Sequence, residues 1–195
     1  MRQSGMRSAS WSRIGGIGAM LGGACWVVKS VSILLTGIQP PLLFEIAPVL
    51  FALGLIGLHA RIDGAGGRPA TIGLTLAILS GGLAAIDLVR NEPTSSESFS
   101  AVTFGAFLAS LAALIFLGFA TRRADALPAP WRSLPLAMGV LTFPLLMVGG
   151  ALESLSGRLL EVPLLVIAVA WIWTGYLILT VPATAIVPST SGLAA

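Results

Sequence analysis

Six stretches of roughly 20 mainly apolar residues, each almost free of charge, limit what this chain can fold into more than any other feature. They cover about residues 14–38, 41–60, 70–90, 99–121, 134–153 and 162–181. At 1.5 Å of rise per residue, a helix made from any one of them is long enough to cross the hydrocarbon core of a bilayer. Helix-stopping residues separate the runs: Gln39-Pro40-Pro41, the loop from Asp63 to Pro69, Asn91-Glu92-Pro93, and Leu127-Pro128-Ala129-Pro130. No segment alternates with a period of two for long enough to suggest a membrane barrel. The predicted fold is an all-α polytopic integral membrane bundle of six transmembrane helices, one domain over residues 14–181.

The charge content supports this. Of 195 residues, 10% are charged and 56% hydrophobic, with a mean hydropathy of +0.95. A water-soluble domain carries about 25% charged residues to solvate its surface. The net charge of +3 comes from arginines at the ends of apolar runs, with no basic stripe interleaved with aromatics. Nucleic acid is therefore not an expected partner, and the lipid bilayer is.

Those arginines also orient the chain. Arg2, Arg7, Arg13, Arg61, Arg68, Arg122, Arg123 and Arg132 fall on one side, and Arg90 and Arg158 on the other with Glu92, Glu97 and Glu161. The excess of positive charge predicts a cytoplasmic basic N-terminus at 1–13 and a disordered cytoplasmic tail at 182–195. The membrane expected is a plasma membrane of the bacterial inner-membrane kind. The first apolar run is too long for a signal-peptide core of 7–15 residues, so it reads as a retained anchor.

Within the runs, small residues recur at helical spacing. Gly15, Gly18, Gly22, Cys25, Lys29, Ser32 and Thr36 form one stripe, and Gly73, Ala77, Ser80, Ala84 and Asp87 form another. Gly139, Thr142, Gly149 and Glu153 repeat it more loosely. Small faces let helices approach closely in lipid. They serve packing within the bundle, and equally a membrane-protein partner or a second copy of the chain.

Lys29 lies inside the first run, and a lysine at mid-span costs about 2.5–3.5 kcal/mol on insertion scales. The turn at 38–41 is short, so the first two helices should be antiparallel neighbours. Lys29 then lies roughly 13 Å below the turn and Glu45 roughly 6 Å below it. A snorkelling lysine can close that gap, and a pair at about 4 Å gains around 4 kcal/mol at an effective dielectric near 20. Pro48, four residues after Phe44, cannot donate to its carbonyl.

Asp87 and Glu153 share the same layer. Lys29, Glu45, Asp87 and Glu153 thus make up a candidate intramembrane polar site, an acidic vestibule for a cation, an amine or a proton. The competing reading pairs Asp87 with Arg90 and sends Glu153 to headgroup water. Trp26, Trp171, Trp173 and Tyr176 are the candidate apolar pocket, with plain core filling as the alternative.

No catalytic residue, metal ligand or cofactor is expected, and the chain is not expected to be an enzyme. Cys25 and His59 are the lone residues of their types, too few for a metal cage or a haem ligated from both sides. The glycines from Gly16 to Gly22 follow no strand, and Gly64-Ala65-Gly66-Gly67 lacks the Lys-Ser or Lys-Thr of a phosphate loop. Neither the Gly-x-Ser-Gly of rhomboid-type proteases nor a His-Glu-x-x-His is present. The sequence points first to a small structural or accessory membrane protein. The alternative is a transporter or channel-like protein with an outer-leaflet site for a cationic or protonatable solute.

Overall fold

The computed structural model describes residues 2–62, 64–90 and 100–181, with side chains from residue 9 onward. The protein is all-helical: α1 (Arg2–Thr36), α2 (Leu43–Ile62), α3 (Gly67–Arg90), α4 (Ala101–Arg123), α5 (Leu134–Glu153) and α6 (Glu161–Thr180), with a 3-10 turn at Ala129–Trp131 before α5. Each of the six contains a segment long and apolar enough to cross a membrane. The expected tail at 182–195 and the residues from 91 to 99, Glu92 and Glu97 among them, lie outside the described residues.

The helix ends follow local chemistry. α1 stops at Gly37, whose φ of +75° suits a residue without a Cβ. The Arg158 guanidinium lies against this glycine, its Nη1 3.5 Å from the carbonyls of Leu34 and Leu35, a cation at the negative end of a helix dipole. α4 opens on Ser100, whose hydroxyl accepts from the Thr103 amide at 3.0 Å.

The helices close a ring in sequence order, α1 also packing on α6, and α2 reaches inward to touch α4 and α6. Close approach at one end of this ring depends on missing side chains. A methyl group on Gly15 would lie 2.3 Å from the Gly57 Cα, and one on Gly175 would lie 2.5 Å from the Gly16 carbonyl oxygen. Gly18 and Gly22 meet Leu50, Leu53 and Phe51 of α2, while Gly23 meets the Ala168 carbonyl of α6. The glycines of the α1 stripe are therefore spent inside the bundle, on α2.

Arg61 ties the same end together. Its Nε donates to the Ala126 carbonyl at 2.8 Å and its Nη1 to the Ile178 carbonyl at 2.7 Å, and its Nη2 donates to the Val181 carbonyl. One guanidinium thus joins α2, the α4–α5 connection and the carbonyl end of α6, where a cation also meets the favourable end of the helix dipole.

Candidate functional site

Toward the end of the bundle where α1, α3 and α5 finish, aromatic residues take over from the glycines and the interior opens. A cavity of about 340 Å³ lies between residues contributed by all six helices. Its walls include Trp26, Phe44, Phe51, Phe104, Phe107, Phe143 and Trp171, and three charged residues reach it: Lys29, Glu45 and Asp87.

Lys29 does not pair with Glu45, the partner expected from the short α1–α2 turn. Its Nζ lies 2.7 Å from Glu161 Oε1, with both side chains 6% exposed. Ser30 Oγ donates to the other carboxylate oxygen at 2.6 Å. The cause is the packing of α1: Gly16 and Gly23 bring it against α6, so the first residue of α6 comes beside Lys29. A carboxylate in that first turn also meets the positive end of the α6 dipole. The ammonium is 5.5 Å from the centroid of the Phe44 ring, a cation–π distance.

Glu45 is left without a hydrogen-bond partner among the described residues, and its Oε2 is buried. Asp87 is 8% exposed and makes no ion pair with Arg90. It accepts instead from Ser100 Oγ at 2.8 Å and from Thr103 Oγ1 at 2.7 Å, two hydroxyls presented by the start of α4. Glu153 is exposed at the end of α5 and lies apart from the cavity. Three of the four residues of the expected polar site thus line one cavity, and the fourth does not.

The expected apolar pocket divides in the same way. Trp26 packs edge-on to Phe51 at 5.2 Å, and Phe51 stacks on Trp171 at 4.4 Å, forming a continuous ladder on the cavity wall. Among the described residues, the Trp26 Nε1 donor has no hydrogen-bond partner. Trp173 is two positions along from Trp171, hence on the opposite face of α6. There it stacks with Tyr176 at 5.2 Å and meets Trp131 at 5.3 Å, all three rings at least 38% exposed.

Sequence reasoning missed Glu161, which it placed with the loop charges, and the phenylalanines that join the two tryptophans. The signal for Glu161 was present: it precedes Val162-Pro163 at the start of an apolar run, where a first-turn carboxylate is favoured. Nothing local showed that α6 rather than α2 would supply the partner of Lys29.

Among the described residues, no three His, Cys, Asp or Glu side chains gather closely enough to hold a metal ion. Cys25 is a half-buried free thiol, and His59 sits near the opposite end of α2 with an unpartnered Nδ1. The chain is a multi-pass membrane protein by its helices. No protein-family model, curated protein sequence or solved structure matches it, so its function has to be read from the cavity itself.

Proposed function

We propose that this protein takes an organic cation with an apolar body into its intramembrane cavity, as a small transporter or channel-like protein. The observation that carries the proposal is Glu45: a carboxylate at an aromatic cavity wall whose buried Oε2 has no hydrogen-bond partner among the described residues. One ammonium serves three carboxylates here, and Glu161 holds it. In their charged forms, Glu45 and Asp87 leave two negative charges uncompensated, a costly arrangement in a low-dielectric interior unless a cation or a proton answers it. Anions are disfavoured because Lys29 is already engaged. Aromatic faces attract cations as well as apolar surface, and about 340 Å³ falls within the usual range of ligand pockets. On this reading the cavity lies in the outer half of a plasma membrane with both termini cytoplasmic, which the arginine distribution supports.

The role as a structural or accessory protein, the first expectation from the sequence, becomes the second reading. It took Lys29–Glu45 as a packing and register device, whereas Lys29 pairs with Glu161, and in α1 the glycines of the small-residue stripe are occupied by α2.

The test is equilibrium binding of labelled tetraphenylphosphonium to the protein in nanodiscs. Saturable binding is expected, weakened about tenfold in Glu45→Gln, which corresponds to about 1.4 kcal/mol. Asp87→Asn should weaken it less, because two hydroxyls already satisfy that carboxylate. Absence of saturable binding, or equal affinity in Glu45→Gln, would sink the proposal.

A further inference from the structure

We infer that the cavity opens sideways into the bilayer between the halves of α4 and α5 nearest its charged end, and that its ligand is a single-chain amphiphile with an ammonium head group that enters from the lipid. This rests on the cation-binding proposal for the head group; the opening itself rests on packing.

At the arginine-rich end, α4 and α5 are in close contact. A methyl on Gly118 would lie 2.5 Å from the Leu136 amide, and one on Gly139 would lie 3.0 Å from the Ile115 amide. Beyond Pro144, which removes an internal hydrogen bond of α5, the two helices take different neighbours. Gly149 of α5 packs on Leu160 and Pro163 of α6. α4 is held to α3 instead, by Ser80 donating to the Ala106 carbonyl at 2.9 Å and by Ser100 and Thr103 on Asp87. Phe104 of α4 and Phe143 of α5 stand on these two stretches. Both line the cavity and are 51% and 59% exposed, as residues at the rim of an opening are. The exposed neighbours of Phe143, Val140, Met147 and Val148, are apolar, so the rim faces acyl chains rather than water. An ammonium head would meet Glu45 and Asp87 while its chain follows the aromatic wall out to the rim.

The test uses a protein retaining Trp171 alone, with Trp11, Trp26, Trp131 and Trp173 replaced by Phe, in nanodiscs of lipids brominated on the acyl chain. A protein retaining Trp173 alone serves as the lipid-exposed reference. Trp171 is 4% exposed, yet it should lose as much emission to bromolipid as Trp173 does, and little to aqueous iodide. Ser110→Phe, which narrows the gap from the α4 side, should reduce that loss. Quenching by iodide but not by bromolipid would overturn the lateral opening, as would quenching by neither, or quenching unchanged in Ser110→Phe. None of these readouts involves a cation, so the opening can fail while tetraphenylphosphonium binding stands, and the reverse.

Discussion

Lys29→Met should destabilise the bundle, and the change that rescues it identifies the lysine's partner. At 2.7 Å and an effective dielectric near 20, the attraction between Lys29 and Glu161 is about 6 kcal/mol, most of it offset by the desolvation of both ions. Removing the lysine alone leaves the Glu161 carboxylate uncompensated in the interior, a change that costs about 3–5 kcal/mol in water-soluble proteins. In a bilayer the unfolded helices also find partners, which trims such terms, so about 3 kcal/mol is expected for Lys29→Met. Adding Glu161→Gln removes the stranded charge and keeps an oxygen to accept from Ser30, so the double variant should lose only about 1 kcal/mol. Adding Glu45→Gln to Lys29→Met should return no more than the up to about 1 kcal/mol that Glu45→Gln gives on its own, with no coupling between the two changes. The measurement is equilibrium unfolding in bicelles for the three single and two double variants, with the coupling read from the two thermodynamic cycles. A Lys29→Met protein as stable as the parent would refute the reasoning. So would rescue by Glu45→Gln in place of Glu161→Gln.

Two further stability effects follow from the same packing. Glu45→Gln alone should raise stability by up to about 1 kcal/mol in that assay while weakening cation binding, since it removes a half-buried charge with no partner among the described residues; this is the usual trade between stability and function at a site. Gly57→Ala places a methyl 2.5 Å from the Gly15 Cα, where only backbone could give way, and should cost about 1–3 kcal/mol. Gly82→Ala, with nothing within 4 Å of the new methyl, should stay within about 0.5 kcal/mol and serves as the control.

The helices were legible in the sequence because a bilayer requires long uninterrupted apolar runs, and Pro, Gly and Asn mark where they end. Lys29, Glu45 and Asp87 stood out for the same reason, since a charge inside such a run is costly, and all three reach one cavity. Partners were not legible. Lys29 and Glu161 are 132 residues apart, and their meeting depends on the first helix packing against the last, which no local pattern states. The short α1–α2 turn made those helices neighbours, and they are neighbours; but adjacency does not fix rotation, and α1 turns Lys29 toward α6. Asp87 had Arg90 one helical turn away and took the hydroxyls of Ser100 and Thr103 instead, because a helix start with free donors lies beside it. Trp171 and Trp173 separated for a reason the sequence did contain: two residues apart on a helix is opposite faces.

The placement of the cavity follows from where the bundle is fastened. At the arginine-rich end, glycine-to-backbone contacts join α1 to α2 and α6 and α4 to α5, and Arg61 bonds three carbonyls from two other segments. Separating these contacts would strip the Arg61 guanidinium of its carbonyl acceptors and open voids between closely packed backbones. At the other end the polar fastenings act on pairs: Lys29 and Ser30 join α1 to α6 through Glu161, and Asp87 joins α3 to α4. Among the described residues, the half of α5 beyond Phe143 and Pro144 makes no side-chain hydrogen bond to another helix. On the cation-binding proposal, the motion that would admit a ligand is a swing of α5 away from α4 about the Gly118 and Gly139 contacts, with the Arg61 end held fixed. Such a swing would widen the rim at Phe104 and Phe143 without breaking either charge cluster, and the unpartnered Glu45 would be the group exposed by it.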